Sequence, residues 1–221
     1  MTLLRLTASS GRIHAIAEER ADIEVERGAR HGTDDAVEVR GGSHGVVVRV
    51  PRGTELVIGS ASGAVELEGP CGPVRVTTRS GRVSIESCTS LDVRTVSGRV
   101  EVAHAAGDAR VKTGNGRVHL AEVGGEAHVA TVSGRVEIER VGGPVRVSSV
   151  SGRIDVALDG AADARADSVS GRVSIALPEG VHPEASLHSI SGRCTCEPEQ
   201  GSDCSITARS VSGALEVVQR S

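Results

Sequence analysis

A single eight-residue phrase recurs through most of the chain, and its spacing leaves few folds open. It reads SGAVELEG at 62–69, SGRVSIES at 80–87, SGRVEVAH at 97–104, NGRVHLAE at 115–122 and SGRVEIER at 133–140. It continues as SGRIDVAL at 151–158, SGRVSIAL at 170–177, SGRCTCEP at 191–198 and SGALEVVQ at 212–219. Its glycines are Gly63, Gly81, Gly98, Gly116, Gly134, Gly152, Gly171, Gly192 and Gly213, so successive steps are 18, 17, 18, 18, 18, 19, 21 and 21 residues. Repetition at so short a period marks a stacked array in which each unit packs only on its neighbours.

Within a repeat the pattern is that of strands. In TVSGRVEIERVGGPVRVS at 131–148, Val136 and Ile138 alternate with Arg135, Glu137 and Glu139, and Val145 and Val147 alternate with Arg146. Val132, just before the Ser-Gly pair, is also expected to point inward. The reading is an all-β chain folded as a single-stranded parallel β-helix (a β-solenoid) of about 18 residues per coil, right-handed by the crossover rule. Composition agrees: 38% of residues are hydrophobic, yet Phe, Tyr and Trp are absent, so the interior must be thin and aliphatic. The phrase glycines are expected at corners with positive φ, and the serines before them are read as turn chemistry.

Residues 1–60 are less regular, although ADIEVER, DAVEVR and GVVVRVP alternate like strands. They are expected to form the first coils and an N-terminal cap, because a solenoid's open end is an unpaired strand edge. The regular solenoid then covers 61–221, with longer loops at 178–188 and 196–208. Val217 and Val218 are expected at an open C-terminal edge, a place for a homodimer to form.

The net charge of −4 gives no global basic field, and the missing aromatics remove stacking platforms, which argues against nucleic acid. The start, MTLLRLTASSGR, has no apolar signal core, and no 18-residue apolar run predicts a transmembrane segment. The expectation is a cytoplasmic location, with surface exposure left open. Five cysteines without a secretion signal argue against a disulfide framework. Cys194 and Cys196 fall where Val136 and Ile138 fall, as small core residues. A zinc site with Cys204 and His188 is the alternative, although C-x-C is not the usual C-x-x-C pair. No metal or cofactor is assigned.

The most suggestive surface feature is an arginine column directly after the corner: Arg82, Arg99, Arg117, Arg135, Arg153, Arg172 and Arg193, with Arg12 as an outlier. Like charges at strand spacing repel unless neutralised, and Glu101, Glu137 and Asp155 lie two residues on. One reading is therefore a self-neutralising charge ladder; the other is a recognition stripe for a polyanion. A second column is read as Arg75, Arg94, Arg110, Arg146 and Arg165, with His128 in register.

The segment VRVPRGTELVIGSASGAVELEG at 48–69, followed by SGRVxI phrases, resembles the bacterial "putative adhesin" family of β-strand repeats. The resemblance implies a parallel β-solenoid of unknown function without assigned catalytic residues, and a role at the cell envelope or in its stress responses. The functional expectation is a non-enzymatic scaffold or binding module that presents a rigid charged surface to a protein or polyanionic partner. One alternative is a self-assembling scaffold resembling the bactofilins. Another is a polysaccharide-active β-helix enzyme, disfavoured because the rod has no long loops to wall a cleft and because Arg neighbours should lower the pKa of Glu137 and Asp155.

Overall fold

The structure, a computed structural model, describes residues 3–33 and 36–220, and among these no helix occurs. The N-terminal strands are β1 (Leu3–Ala8), β2 (Ile13–Glu18), β3 (Glu24–Arg27), β4 (Ala29–Thr33), β5 (Ala36–Gly41), β6 (Val46–Pro51) and β7 (Glu55–Ser62), with alternating aliphatic residues in all but the polar β3 and β4. The regular body comprises β8 (Val65–Ala105), β9 (Ala109–Val123), β10 (Ala127–Val141), β11 (Val145–Leu158) and β12 (Ala164–Pro178). It ends in β13 (Pro183–Ser191), β14 (Cys194–Cys196), β15 (Cys204–Ser212) and β16 (Leu215–Arg220). The chain is a β-solenoid. Val129 pairs in parallel with Val111 on one side and Val147 on the other, and Val136 pairs with Val118 and Ile154. Each coil folds at its Ser-Gly corner, which sets two strand faces around one core.

That core is a stack of thin layers. In one coil Ala127, Val129, Val136, Ile138 and Val141 are buried, and the equivalent positions are buried in the coils on either side. A hydroxyl column joins them: Thr78, Thr95, Thr113, Thr131, Ser149, Ser168 and Ser210 are all buried. Thr78, Thr95 and Thr131 satisfy their hydroxyls by donating to the carbonyls of Ser80, Ser97 and Ser133. Threonine therefore takes the inward place expected for the following residue: Val132 is 54% exposed, because the chain turns outward immediately after Thr131.

The corner glycines are required mainly by close approach. A Cβ on Gly134 would lie 1.9 Å from the Gly116 carbonyl oxygen, a distance no side chain can occupy. Along the column only Gly81, Gly98, Gly134, Gly152 and Gly171 have φ between 130° and 155°; Gly63, Gly116, Gly192 and Gly213 lie outside the positive range. What the column has in common is contact of backbone on backbone, and φ is secondary.

Coil order differs from chain order at both ends. β1 lies between β5 and β7, and β2 between β6 and β8, so residues 3–18 are inserted between 36–51 and 55–68. This explains the gap between the phrase at Gly11 and its next match: a Cβ on Gly63 would meet the Gly11 carbonyl at 2.4 Å, so the two are neighbours in space. At the other end β15 pairs with both β12 and β13, and β16 with both β12 and β14. The open edge is thus β13–β14. The expected edge at Val217 and Val218 is not there: Val217 is fully buried, held between Ile175 and Cys196.

The N-terminal end is covered by antiparallel pairing of β3 on β6 and β4 on β5, a device that blunts a parallel edge. Arg20 ties that cap together by pairing with Glu18, Asp22 and Glu24. No helix among the described residues is long and apolar enough to cross a membrane.

Candidate functional site: an arginine and valine corner

The Ser-Gly corner carries two outward columns, one on each side. After the glycine come the arginines. Register places Arg99, Arg117, Arg135, Arg153 and Arg172 on successive coils. Arg82 precedes them, since Gly81 stacks against Gly98. Arg12 and Arg193 stand apart. Arg12 precedes Ile13, which pairs with Val65, so Ala64 separates it from Arg82. Arg193 is separated from Arg172 by Ala214, because Cys194 pairs with Leu215 and Leu215 with Val173. The uninterrupted stripe therefore runs from Arg82 to Arg172, and each of its members is exposed.

Its charge is largely unmatched at close range. Among the described residues, Arg99 alone of the seven phrase arginines has a carboxylate within 4.0 Å, Glu101 at 3.5 Å. Arg12 reaches Glu66 at 3.5 Å. The acids two residues on belong to their own column, where Glu101, His119, Glu137 and Asp155 follow one another by register. There the contacts run diagonally to the next carboxylate: His119 Nε2 lies 2.8 Å from Glu139, and His14 Nε2 lies 3.0 Å from Glu68. His119, Glu137 and Glu139 are the group among the described residues whose ligand atoms lie close enough, within 4.8 Å of one another, to hold a metal ion.

Asp155 corrects a sequence expectation. Its carboxyl is pushed above the usual aspartate range because burial, aided by Glu137, outweighs Arg153 and Arg135. One partly desolvated carboxyl on an open sheet face still walls no cleft. The hollow over Glu66, Glu68, Glu86, Glu101 and His119 holds about 470 Å³ and is open to solvent.

The second arginine column is also rearranged. Arg110, His128, Arg146 and Arg165 are in register, but the place expected for Arg94 belongs to Asp92, which pairs with Arg110. Asp92 bridges Arg75 and Arg94 at 3.5 Å each. Counted back from the phrase glycine, Arg75, Asp92, Arg110, His128, Arg146 and Arg165 each lie six residues before it, whereas Arg94 lies four before Gly98 and pairs with Lys112.

On the other side of the corner stands a column that sequence reasoning missed. Val96, Val132, Val150, Val169, Val211 and Ile190 are between 47% and 74% exposed. They are all the exposed large hydrophobic residues among those described, and each immediately precedes the serine of the phrase. The signal was present as T-V-S-G and S-V-S-G, read as inward alternation. Cys194 does not take the core place expected of it: on β14, which pairs only with β16, it is exposed. Cys196 is partly buried and Cys204 buried, and among the described residues these free thiols join no metal-ligand group.

Fold and site together define a β-solenoid with a flat, linear, charged corner in place of a pocket. The chain belongs to the Toastrack family, DUF4097, whose profile matches residues 22–217. It is also similar to the crystal structure of a putative cell adhesion protein from Clostridium sporogenes, at 9% identity and a TM-score of 0.29, over 99% of this chain and 92% of that one. No curated protein matches the chain.

Proposed function

We propose that the protein is a non-enzymatic binding module whose Arg82–Arg172 stripe receives a polyanionic partner. The supporting observation is the uninterrupted run of exposed guanidinium groups, of which Arg99 alone has a carboxylate within 4.0 Å among the described residues. Guanidinium groups at a fixed coil spacing of about 4.8 Å suit a polymer of phosphate, sulfate or carboxylate groups, each of which accepts bidentate hydrogen bonds. The test uses dextran sulfate as a soluble probe at several salt concentrations. The parent binds more weakly as salt rises, and Arg117→Ser with Arg172→Ser lowers both affinity and salt dependence. Unchanged affinity and salt dependence in that variant would remove the reading.

A second reading, self-association through the C-terminal end of the rod, is favoured by the one-sided pairing of β13 and β14. Ile190, on β13, is 74% exposed. Light scattering across a range of concentrations tests it, and a monomer at every concentration would exclude it.

A further inference from the structure

The exposed apolar residues and the unmatched arginines share one corner, and their arrangement points to a particular class of surface. By register, Val96, Gly114, Val132, Val150, Val169, Val211 and Ile190 occupy consecutive coils in that order. At about 4.8 Å per coil this is a straight ridge of about 29 Å, broken only at Gly114. Three residues after the ridge position stands an arginine in every coil except that of Val211, where Ala214 takes its place, which sets the two columns at most about 10 Å apart along the chain.

The opposite flank of the ridge carries little negative charge. Two residues before each ridge position stand Arg94, Lys112, Ala130, Ser148, Asp167, Arg209 and His188. The one carboxylate among them, Asp167, is held by Arg165 at 2.9 Å. A line of branched aliphatic residues, bordered by guanidinium groups and dipping at Gly114 into an open hollow of about 460 Å³ between Val96 and Val132, is thereby presented to solvent. Soluble monomers scatter their exposed hydrophobic residues, and a contiguous exposed set marks an interaction surface.

We infer that this corner is a docking edge for an anionic lipid bilayer, an inference that rests on the polyanion reading of the arginine stripe. Charge complementarity selects the headgroups: Arg82–Arg172 meet lipid phosphates while the valine ridge enters the boundary between headgroups and acyl chains. A protein partner would need a surface complementary to an apolar line of about 29 Å, the length of six coil steps. It would also find none of the aromatic anchors that fill such pockets, since the chain has no Phe, Tyr or Trp. A bilayer supplies its own shape. The apolar contribution of valines one side chain deep is small, so binding requires anionic lipid and fails on a neutral surface.

The experiment is co-sedimentation with vesicles of phosphatidylcholine alone or mixed with phosphatidylglycerol, in parallel with the dextran sulfate titration. The parent, a Val132→Thr, Val150→Thr, Val169→Thr variant and the Arg117→Ser, Arg172→Ser variant are compared, with circular dichroism to verify each fold. The parent is expected to bind the anionic vesicles and not the neutral ones. The threonine variant keeps the β-branched shape, retains dextran sulfate binding and loses about fivefold or more in vesicle affinity. The arginine variant loses both. Vesicle affinity unchanged in the threonine variant, or dextran sulfate binding by a parent that ignores anionic vesicles, overturns the lipid inference and leaves the polyanion reading standing. An arginine variant unchanged toward dextran sulfate, with ridge-dependent vesicle binding, removes the polyanion reading alone.

Discussion

Gly134 rests directly on the backbone of Gly116, so near that a Cβ on the first would sit 1.9 Å from the carbonyl oxygen of the second. The same approach recurs from coil to coil, and it fixes how closely the corners can stack. Replacing Gly134 by alanine forces either the coil spacing or the φ of 147° to change. We expect Gly134→Ala to cost at least about 2 kcal/mol. Gly160→Ala, where nothing lies within 4 Å of the added carbon, should stay within about 0.5 kcal/mol of the parent. Denaturant unfolding of the two variants measures the contrast, and equal costs would contradict it.

Protection of backbone amides should follow coil order in space. β15 and β16 come later in sequence than β13 and β14 but are paired on both sides. Hydrogen exchange should therefore be slower over 204–218 than over 185–196. The opposite order would show that the later segment does not remain inserted.

The thiols should separate into two classes. Burial pushes the Cys71 thiol up to about 11, with Glu86 contributing, and the Cys88 thiol up to about 12, with Cys71 contributing. Neither can supply thiolate at neutral pH, whereas Cys194 is exposed. Alkylation followed by mass spectrometry should label Cys194 quickly and Cys71 and Cys88 only after unfolding. Labelling of Cys88 at the rate of Cys194 would refute this.

Asp155 gives a pH signature. Its folded-state pKa is raised, chiefly by burial, so ionisation costs the folded form more than the unfolded one. That cost is present above the folded-state pKa and disappears as acid protonates the carboxyl in both states. Asp155→Asn should accordingly raise Tm near about pH 7, and the difference should vanish by about pH 3. A variant that is less stable than the parent at neutral pH would reverse the assignment.

Much of the architecture was legible because each phrase is an internal alignment of the others. Val136 and Ile138 showed the inward face of one strand, and Gly134 showed the corner. The outward turn of Val132 was not legible, since alternation cannot be followed through a corner without knowing which residue starts it. Thr131 does so, and a buried hydroxyl is hard to foresee when its acceptor, the Ser133 carbonyl, lies on the backbone. Nor could coil order be read. Every coil presents nearly the same edge, so the phrase that pairs Gly63 with Gly81 pairs it equally well with Gly11. For the site, the arginines were visible and their lack of close partners was not, because Glu137 and Glu139 lean toward His119.

The two inserted segments have a consequence for how the molecule comes into being. When residues 183–196 leave the ribosome, the strands they finally pair with, β15 and β16, have not yet been made. The finished rod therefore cannot be laid down in chain order to its end. The younger layer, β15 and β16, lies on β12 beneath the older β13 and β14, and synthesis order and stacking order part company there.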